Sequence, residues 1–205
     1  ANKVDLNRNY PARTFVPFII DGKPEFLWGG EVQYFRVRDK NADPAETFRM
    51  WEETLDQMVD AGMNLITTYV PWDYHETKDG ESDFTGAKSV RAFLDLAATK
   101  GLHVILKPGP GITGEWPRGF GTFGAIPEWW KAQHPDSMER KPDGKRWTFS
   151  PLGDSRSEQP AYLDQTFQEA VDGWYSRFAQ EIRPYLGNTV VGIQLDNETN
   201  LYWGN

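Results

Sequence analysis

Residues 90–106, VRAFLDLAATKGLHVIL, contain the pattern that decides the fold class. Phe93 and Ala97 recur at helical spacing, and Gly101 stands where a residue that ends a helix is expected. The apolar run 102–106 follows at once and has the length and composition of a buried strand. A helix that passes through one glycine into a buried strand is typical of an α/β protein with a parallel sheet.

The same alternation extends to both sides of this stretch. Upstream, Asp43, Pro44 and Glu46 predict the start of a helix, and Gly62 predicts its end. The predicted strands are one that ends near Tyr34 and those at 65–70, 102–106 and 190–195, and further helices are predicted at 90–100 and about 160–186. We therefore expect a single domain, in which 1–26 form a leading segment with a hairpin, 27–205 form the strand and helix units, and 108–160 form a long loop.

Polar residues follow every predicted strand. Four strands of this kind fit either an open doubly wound sheet or part of a barrel, and barrels place their chemistry at the carboxyl ends of the strands. We therefore predict a TIM (β/α)₈ barrel, of which this chain supplies roughly the first four βα units, with one converging site. The polar residues after the successive strands are Glu31, Gln33 and Arg36, then Tyr69, Asp73, His75 and Glu76, then Glu115, then Asp196, Asn197 and Glu198.

Composition excludes several classes of function. The 22 basic and 30 acidic residues give a net charge of -8 without a basic cluster, which disfavours nucleic acid. No apolar run approaches the roughly 20 residues of a membrane-spanning helix. The first residues lack the apolar region of a secretory signal, so we expect a soluble protein, either cytoplasmic or secreted or periplasmic with its signal removed.

The sequence predicts neither a cofactor nor a metal site. The chain has no cysteine, and its three histidines are far apart in the sequence. Residues 109–114, GPGITG, match a dinucleotide-binding fingerprint in form, but Pro110 removes a backbone donor and Glu115, Trp116 and Pro117 follow where a helix should open.

The segment 195–200, LDNETN, is the richest in candidate chemistry. An apolar strand passes directly into Asp196, Asn197 and Glu198. In an aromatic-lined cleft, desolvation would raise the pKa of a strand-end carboxyl toward the range of a general acid, and paired carboxylates across such a cleft hydrolyse glycosides. A helix cap or a surface turn is the alternative interpretation of the same residues.

Four motifs together resemble family 35 glycoside hydrolases, the β-galactosidases of the large retaining (β/α)₈ clan. The resemblance covers the chain from about Ile19 onward, and the motifs follow successive strands in the family's order. They are GGEVQYFR (29–36), TTYVPWDYHE (67–76), KPGPGITGEW (107–116) and IQLDNE (193–198).

This resemblance implies a retaining exo-β-glycosidase that acts on an oligosaccharide or glycan without a cofactor. It makes Glu198 the acid/base carboxylate and Asn197 the partner of the sugar 2-hydroxyl, with Tyr69 and Glu115 binding the nonreducing sugar and Trp116 forming an apolar wall. A β-galactosidase is the first expectation, and an exo-β-glucosaminidase or another β-hexosidase is the alternative. A noncatalytic sugar-binding protein is a rival of a different class.

The sequence also departs from the family. Gln33 replaces histidine, Gly111 replaces tyrosine, Thr113 and Gly114 replace a Cys-Ala or Asn-Ala pair, and Thr199 replaces tyrosine, which leaves the exact sugar open. The family's nucleophilic glutamate lies on the seventh strand, so we expect it outside this chain. The expected partner is the remaining C-terminal half of the barrel, on the same or a separate chain, and residues 1–205 alone are expected to be inactive and aggregation-prone.

Overall fold

The computed structural model describes residues 18–78, 81–112, 124–147 and 158–197, which alternate between strands and helices. The strands are β1 (Phe18–Ile20), β2 (Lys23–Glu25), β3 (Gly29–Glu31), β4 (Leu65–Tyr69), β5 (His103–Ile112) and β6 (Val190–Asn197). The helices are α1 (Pro44–Asp60), α2 (Trp72–His75), α3 (Val90–Thr99), α4 (Glu128–Gln133) and α5 (Gln165–Ile182). None of the helices in these ranges is long and apolar enough to cross a membrane.

The strands form a hairpin and a larger sheet. β1 and β2 pair in antiparallel fashion, and the four-stranded sheet has the order β3-β4-β5-β6. β3 and β4 are parallel, with Gly29 opposite Leu65. A Cβ atom on Gly29 would overlap the backbone of Leu65, so this position in β3 requires glycine. The α/β class is confirmed. Each strand of the larger sheet lies beside the next strand in the sequence, which is the order expected of the first units of a (β/α)₈ barrel.

The chain divides into two compact units. The first contains Ala1–Thr68, Val90–Leu106 and Ile182–Ile193, and the second contains Tyr69–Ser89, Lys107–Glu181 and Gln194–Asn205. The last residues of β4, β5 and β6, which are Tyr69, 107–112 and 194–197, all belong to the second unit.

The core of the first unit is aromatic. Tyr34, Trp51 and Phe93 are fully buried, and their ring centroids lie 5.6 to 5.9 Å apart. The indole N–H of Trp51 donates to the carbonyl of Tyr34 at 2.9 Å, which satisfies the polar atom of a buried tryptophan. Part of the aromatic content of the sequence, which is 14% of its residues, therefore packs in this core.

α1 begins and ends where the sequence predicts. The Asp43 side chain accepts a hydrogen bond from the backbone N–H of Ala45 at 2.9 Å, and Pro44 is the first helical residue. At the other end Gly62 has a φ of 77°, a left-handed conformation that glycine adopts without steric cost.

Stacked rings form the core of the second unit. Trp72 and Trp174 are fully buried and stack at 6.2 Å with an interplanar angle of 11°. Phe84 stacks on Trp174 at 6.0 Å and on His75 at 4.3 Å. Trp72, which follows β4, is therefore a core residue.

Several elements differ from their predicted bounds: the strand expected to end near Tyr34 ends at Glu31, and the last strand extends to Asn197. β5 continues to Ile112, although Pro108, Gly109 and Pro110 predict an end near residue 106. α5 begins at Gln165, because Asp164 caps it by accepting from the N–H of Phe167 at 3.0 Å. The helix predicted from about residue 160 is therefore wrong at its start, and Leu163, which precedes the observed helix, is 91% exposed.

Candidate active site

The end of β4 presents an aromatic ring beside a cation. The centre of the Tyr69 ring lies 4.8 Å from the Nζ atom of Lys107, a residue in the middle of β5. Lys107 is only 8% exposed, and its carbonyl accepts from the N–H of Val70 at 2.9 Å. A cation over a partly desolvated ring is attracted by the ring's quadrupole, so Lys107 restrains the plane of Tyr69.

One turn of α5 holds the end of β5. The indole N–H of Trp174 donates to the carbonyl of Pro108 at 2.9 Å, and the hydroxyl of Tyr175 donates to the carbonyl of Gly109 at 2.5 Å. These side-chain donors satisfy the two carbonyl oxygens, which are obligatory hydrogen-bond acceptors of the backbone. The two bonds hold the β5 backbone on either side of Gly109, which adopts a φ of 84° that suits glycine.

Asp196 stands at the end of β6 and binds the end of β5. Its Oδ1 atom accepts from the N–H of Gly111 at 2.7 Å and from the hydroxyl of Tyr162 at 3.5 Å. Burial raises the pKa of the Asp196 carboxyl above its usual range, and the two donors act in the opposite direction. Burial and the Asp196 charge also raise the pKa of Tyr162, so its hydroxyl stays protonated and donates.

Gly111 makes room for Tyr162. A Cβ atom at Gly111 would overlap the Tyr162 hydroxyl and would lie 3.4 Å from Oδ1 of Asp196. The ring of Tyr162 packs edge-on against Phe167 at 5.4 Å. Tyr162, from a distant part of the chain, thus fills the space that a side chain at position 111 would occupy. The sequence alone shows Gly111 only as a departure from the family.

The amide of Asn197 has a defined orientation. The Nε2 atom of Gln194 donates to the carbonyl of Asp196 at 3.0 Å and to Oδ1 of Asn197 at 3.2 Å. With its oxygen toward Gln194, Asn197 turns its amide nitrogen, a donor, to the other side.

His75 and Glu76 do not join the site predicted from the sequence. Glu76 is 1% exposed, and its carboxylate accepts from Arg177 at 2.5 and 3.0 Å, from Trp72 at 2.7 Å and from Ser82 at 2.7 Å. Burial lowers the pKa of His75 to about 3, so its ring is neutral in the stacked core. The expectation that all polar residues after the strands converge is therefore wrong for this pair.

The predicted site residues fall into two groups. Tyr69 and Asn197 lie in the second unit, at the ends of β4 and β6, the two strands that flank β5. Glu115, Trp116 and Glu198 lie outside the described residues. Among the residues that are described, no group of three or more His, Asp or Glu side chains could hold a metal ion.

Sequence reasoning missed three residues that hold these strand ends. Tyr162 attracts no attention in the sequence, and Lys107 and Gln194 appear there only as parts of longer motifs. The glycine at position 111 is the one signal that a bulky partner could be present, but it does not say which residue supplies it.

Comparison with known proteins decides the family. The sequence profile of the family described as Glycosyl hydrolases family 35 matches residues 17–150. The chain belongs to this family. Similar proteins include the exo-beta-D-glucosaminidase of Thermococcus kodakarensis, which is 36% identical over 194 residues, covering 91% of this chain and 22% of the relative. The beta-galactosidase of Felis catus is 33% identical over 205 residues, covering 96% of this chain and 25% of the relative.

A solved structure agrees with the fold of this family 35 chain. The beta-galactosidase from the psychrophilic Marinomonas ef1 matches with a TM-score of 0.59 and 20% identity, over 84% of this chain and 22% of that chain. The chain thus spans about a quarter of the length of the relatives that it matches.

Proposed function

We propose that the complete protein is a retaining exo-β-galactosidase that removes terminal nonreducing β-D-galactosyl residues by double displacement, with Glu198 as the acid/base. One observation carries this proposal: in a family 35 chain, β6 runs directly into Asn197 and Glu198, and Gln194 fixes the Asn197 amide. An amide nitrogen held in one direction can donate to the sugar 2-hydroxyl, an interaction that strengthens in the oxocarbenium-like transition state.

The remaining residues bind the sugar. Tyr69, whose ring Lys107 restrains, presents its hydroxyl to the nonreducing sugar. Glu115 accepts from the sugar hydroxyls, and Trp116 forms an apolar wall. A buried group that hydrogen-bonds a hydroxyl discriminates strongly against a sugar that lacks it. The substrate is therefore an oligosaccharide or glycan with the matching terminal sugar.

The second carboxylate comes from elsewhere in the protein. Double displacement requires a nucleophile opposite the acid/base, and Glu76 is occupied by Arg177 and Trp72. We infer that a glutamate in the part of the protein that corresponds to the remaining length of the relatives supplies it, together with the other barrel strands. Residues 27–205 would then be the first half of one catalytic barrel.

An exo-β-glucosaminidase is the second candidate. The 36% identical relative from Thermococcus kodakarensis is named for this activity. Nitrophenyl β-galactoside and nitrophenyl β-glucosaminide, compared by kcat/KM with the complete protein, separate the two candidates. Absence of hydrolysis of every nitrophenyl glycoside in such a panel would favour a sugar-binding protein instead.

The acid/base assignment is tested by Glu198→Gln in the complete protein. We expect kcat/KM for phenyl galactoside to fall by about 10²-fold or more, and that for dinitrophenyl galactoside to fall far less, because only a poor leaving group needs a proton. The anomer formed first, measured by NMR, should have the β configuration of the substrate.

Glu52→Gln is the matched control, since Glu52 lies on the exposed face of α1. It should leave both substrates unaffected. An equal loss on both substrates in Glu198→Gln would remove Glu198 from the acid role, and an α product would refute the retaining mechanism.

A further inference from the structure

We propose that Asp196 and Gln194 are positioning residues that fix the backbone and the side-chain amide of Asn197, the residue before Glu198, without touching the sugar. This inference rests on the proposed function, because it assigns these residues to the support of the acid/base segment. It is carried by two sets of contacts at the end of β6, one made by each residue.

The first contact is the anchor of Asp196. Its φ is 56°, in the left-handed region that aspartate, asparagine and glycine adopt more readily than other residues. This conformation changes the direction of the chain two residues before Glu198. The carboxylate then ties the changed direction to the end of β5, through the N–H of Gly111 at 2.7 Å and the hydroxyl of Tyr162 at 3.5 Å.

The Gly111 backbone that receives this anchor is itself held. Tyr175 donates to the carbonyl of Gly109 two residues earlier, and Ile112 donates to the carbonyl of Gly124 at 2.8 Å. Asp196 therefore binds to a restrained segment of backbone. Tyr162 closes the contact on the side where Gly111 has no side chain.

The second contact is the clamp of Gln194. One side-chain amide donates both to the main-chain oxygen of Asp196 at 3.0 Å and to the side-chain oxygen of Asn197 at 3.2 Å. The Gln194 side chain thus holds the Asn197 amide in a fixed orientation relative to the backbone of Asp196. Without these donors, the Asn197 amide could present its oxygen, which cannot donate, to the sugar 2-hydroxyl.

Position matters because catalysis depends strongly on geometry. A displacement of a catalytic group by about 1 Å can cost about 10²-fold in rate, even when the change lies outside the reacting atoms. Asp196 and Gln194 control such a displacement, since they hold the main chain and the side chain next to Glu198.

Three substitutions of Asp196 in the complete protein separate its two properties. Asp196→Asn keeps an acceptor oxygen and tolerates the left-handed φ, Asp196→Gly keeps only the conformation, and Asp196→Ala keeps neither. We expect Asp196→Asn to retain kcat within about fivefold, and the other two to lose about 10²-fold in kcat on phenyl galactoside with less loss on dinitrophenyl galactoside. Asp172→Asn, at an exposed position of α5, is the matched control and should behave as wild type.

The clamp is tested by Gln194→Glu, which replaces the two donated hydrogens by an acceptor oxygen. The readout is the ratio of kcat/KM for the galactoside to that for its 2-deoxy analogue. If Gln194 orients the Asn197 amide, the benefit of the 2-hydroxyl should shrink by about tenfold in this variant. Loss of folding would lower both substrates equally and would leave the ratio unchanged.

The proposal is overturned if Asp196→Gly has wild-type kinetics on both substrates, or if Gln194→Glu leaves the 2-deoxy ratio unchanged while the enzyme stays folded by circular dichroism. These outcomes are distinct from failure of the proposed function. That failure would appear in wild type as absent glycosidase activity, or in Glu198→Gln as an equal loss on both leaving groups.

Discussion

The fit between Gly111 and Tyr162 predicts a specific coupling between two substitutions. In Gly111→Ala the new methyl group overlaps the Tyr162 hydroxyl, so the ring must leave its contact with Phe167 and weaken its bond to Asp196. Overpacking of this kind costs about 1–3 kcal/mol, and the reduced entropy of the unfolded chain offsets about 0.4–1 kcal/mol of it. We expect a net local destabilisation of about 1–2 kcal/mol.

Removal of the hydroxyl should relieve the clash. With phenylalanine at position 162, the nearest atoms to the new methyl group are Oδ1 of Asp196 at 3.4 Å and the ring Cζ at 3.6 Å, which are van der Waals contacts. Tyr162→Phe alone loses a hydrogen bond worth about 0.5–1.5 kcal/mol. The double variant should therefore be more stable than the sum of the two single changes predicts, by about 1–2 kcal/mol.

Hydrogen exchange of the complete protein, measured by mass spectrometry on peptides that contain residues 105–112, reports this local stability. A change of about 1.4 kcal/mol corresponds to a tenfold change in exchange rate. Gly111→Ala should exchange about tenfold faster than wild type, and the added Tyr162→Phe should slow that exchange. Additive effects of the two substitutions would refute the reasoning, because they would show that the hydroxyl does not occupy the space beside Gly111.

Two further predictions concern the core of the second unit. Glu76→Gln should lower the free energy of unfolding by about 2 kcal/mol, since it weakens the ion pair with the partly exposed Arg177. The kcat of the folded enzyme should stay unchanged. A fall in kcat at a constant unfolding midpoint would instead give Glu76 a role in the chemistry. His75 is neutral in the folded state with a pKa of about 3 and takes up a proton near 6.5 when unfolded, so its stabilising effect is present above 6.5 and is lost as the pH falls toward 3. His75→Phe should therefore lose less stability than wild type when the unfolding midpoint is compared at about pH 7 and about pH 4, and parallel losses would contradict the assignment.

Where the end of a helix depends on residues close to it in the sequence, local signals predicted that end correctly. The Asp43 cap, the proline after it and the glycine at position 62 place α1 correctly, because each acts on backbone groups within four residues. The same type of signal was present at Asp164 and was overlooked, which put the start of α5 five residues too early.

Contacts between distant residues account for what the sequence did not show. Glu76 looks like a strand-end carboxylate, and only Arg177, 101 residues later, makes it a structural one. β5 contains residues that normally end a strand, and the side chains that bind its carbonyls come from α5, 66 residues later. In both cases the partner is set by the tertiary fold, which residue types alone do not specify.

The same turn of α5 is responsible for all of these contacts. Trp174 and Tyr175 bind two successive carbonyls of β5, and Arg177, on the next part of the turn, binds the carboxylate of Glu76. The Asp196 anchor depends on the β5 backbone that this turn restrains. Tyr175→Phe, which removes the bond to Gly109 and leaves Arg177 in place, should therefore reduce activity through the position of Asn197, and its effect should depend on the leaving group in the same way as that of Asp196→Gly.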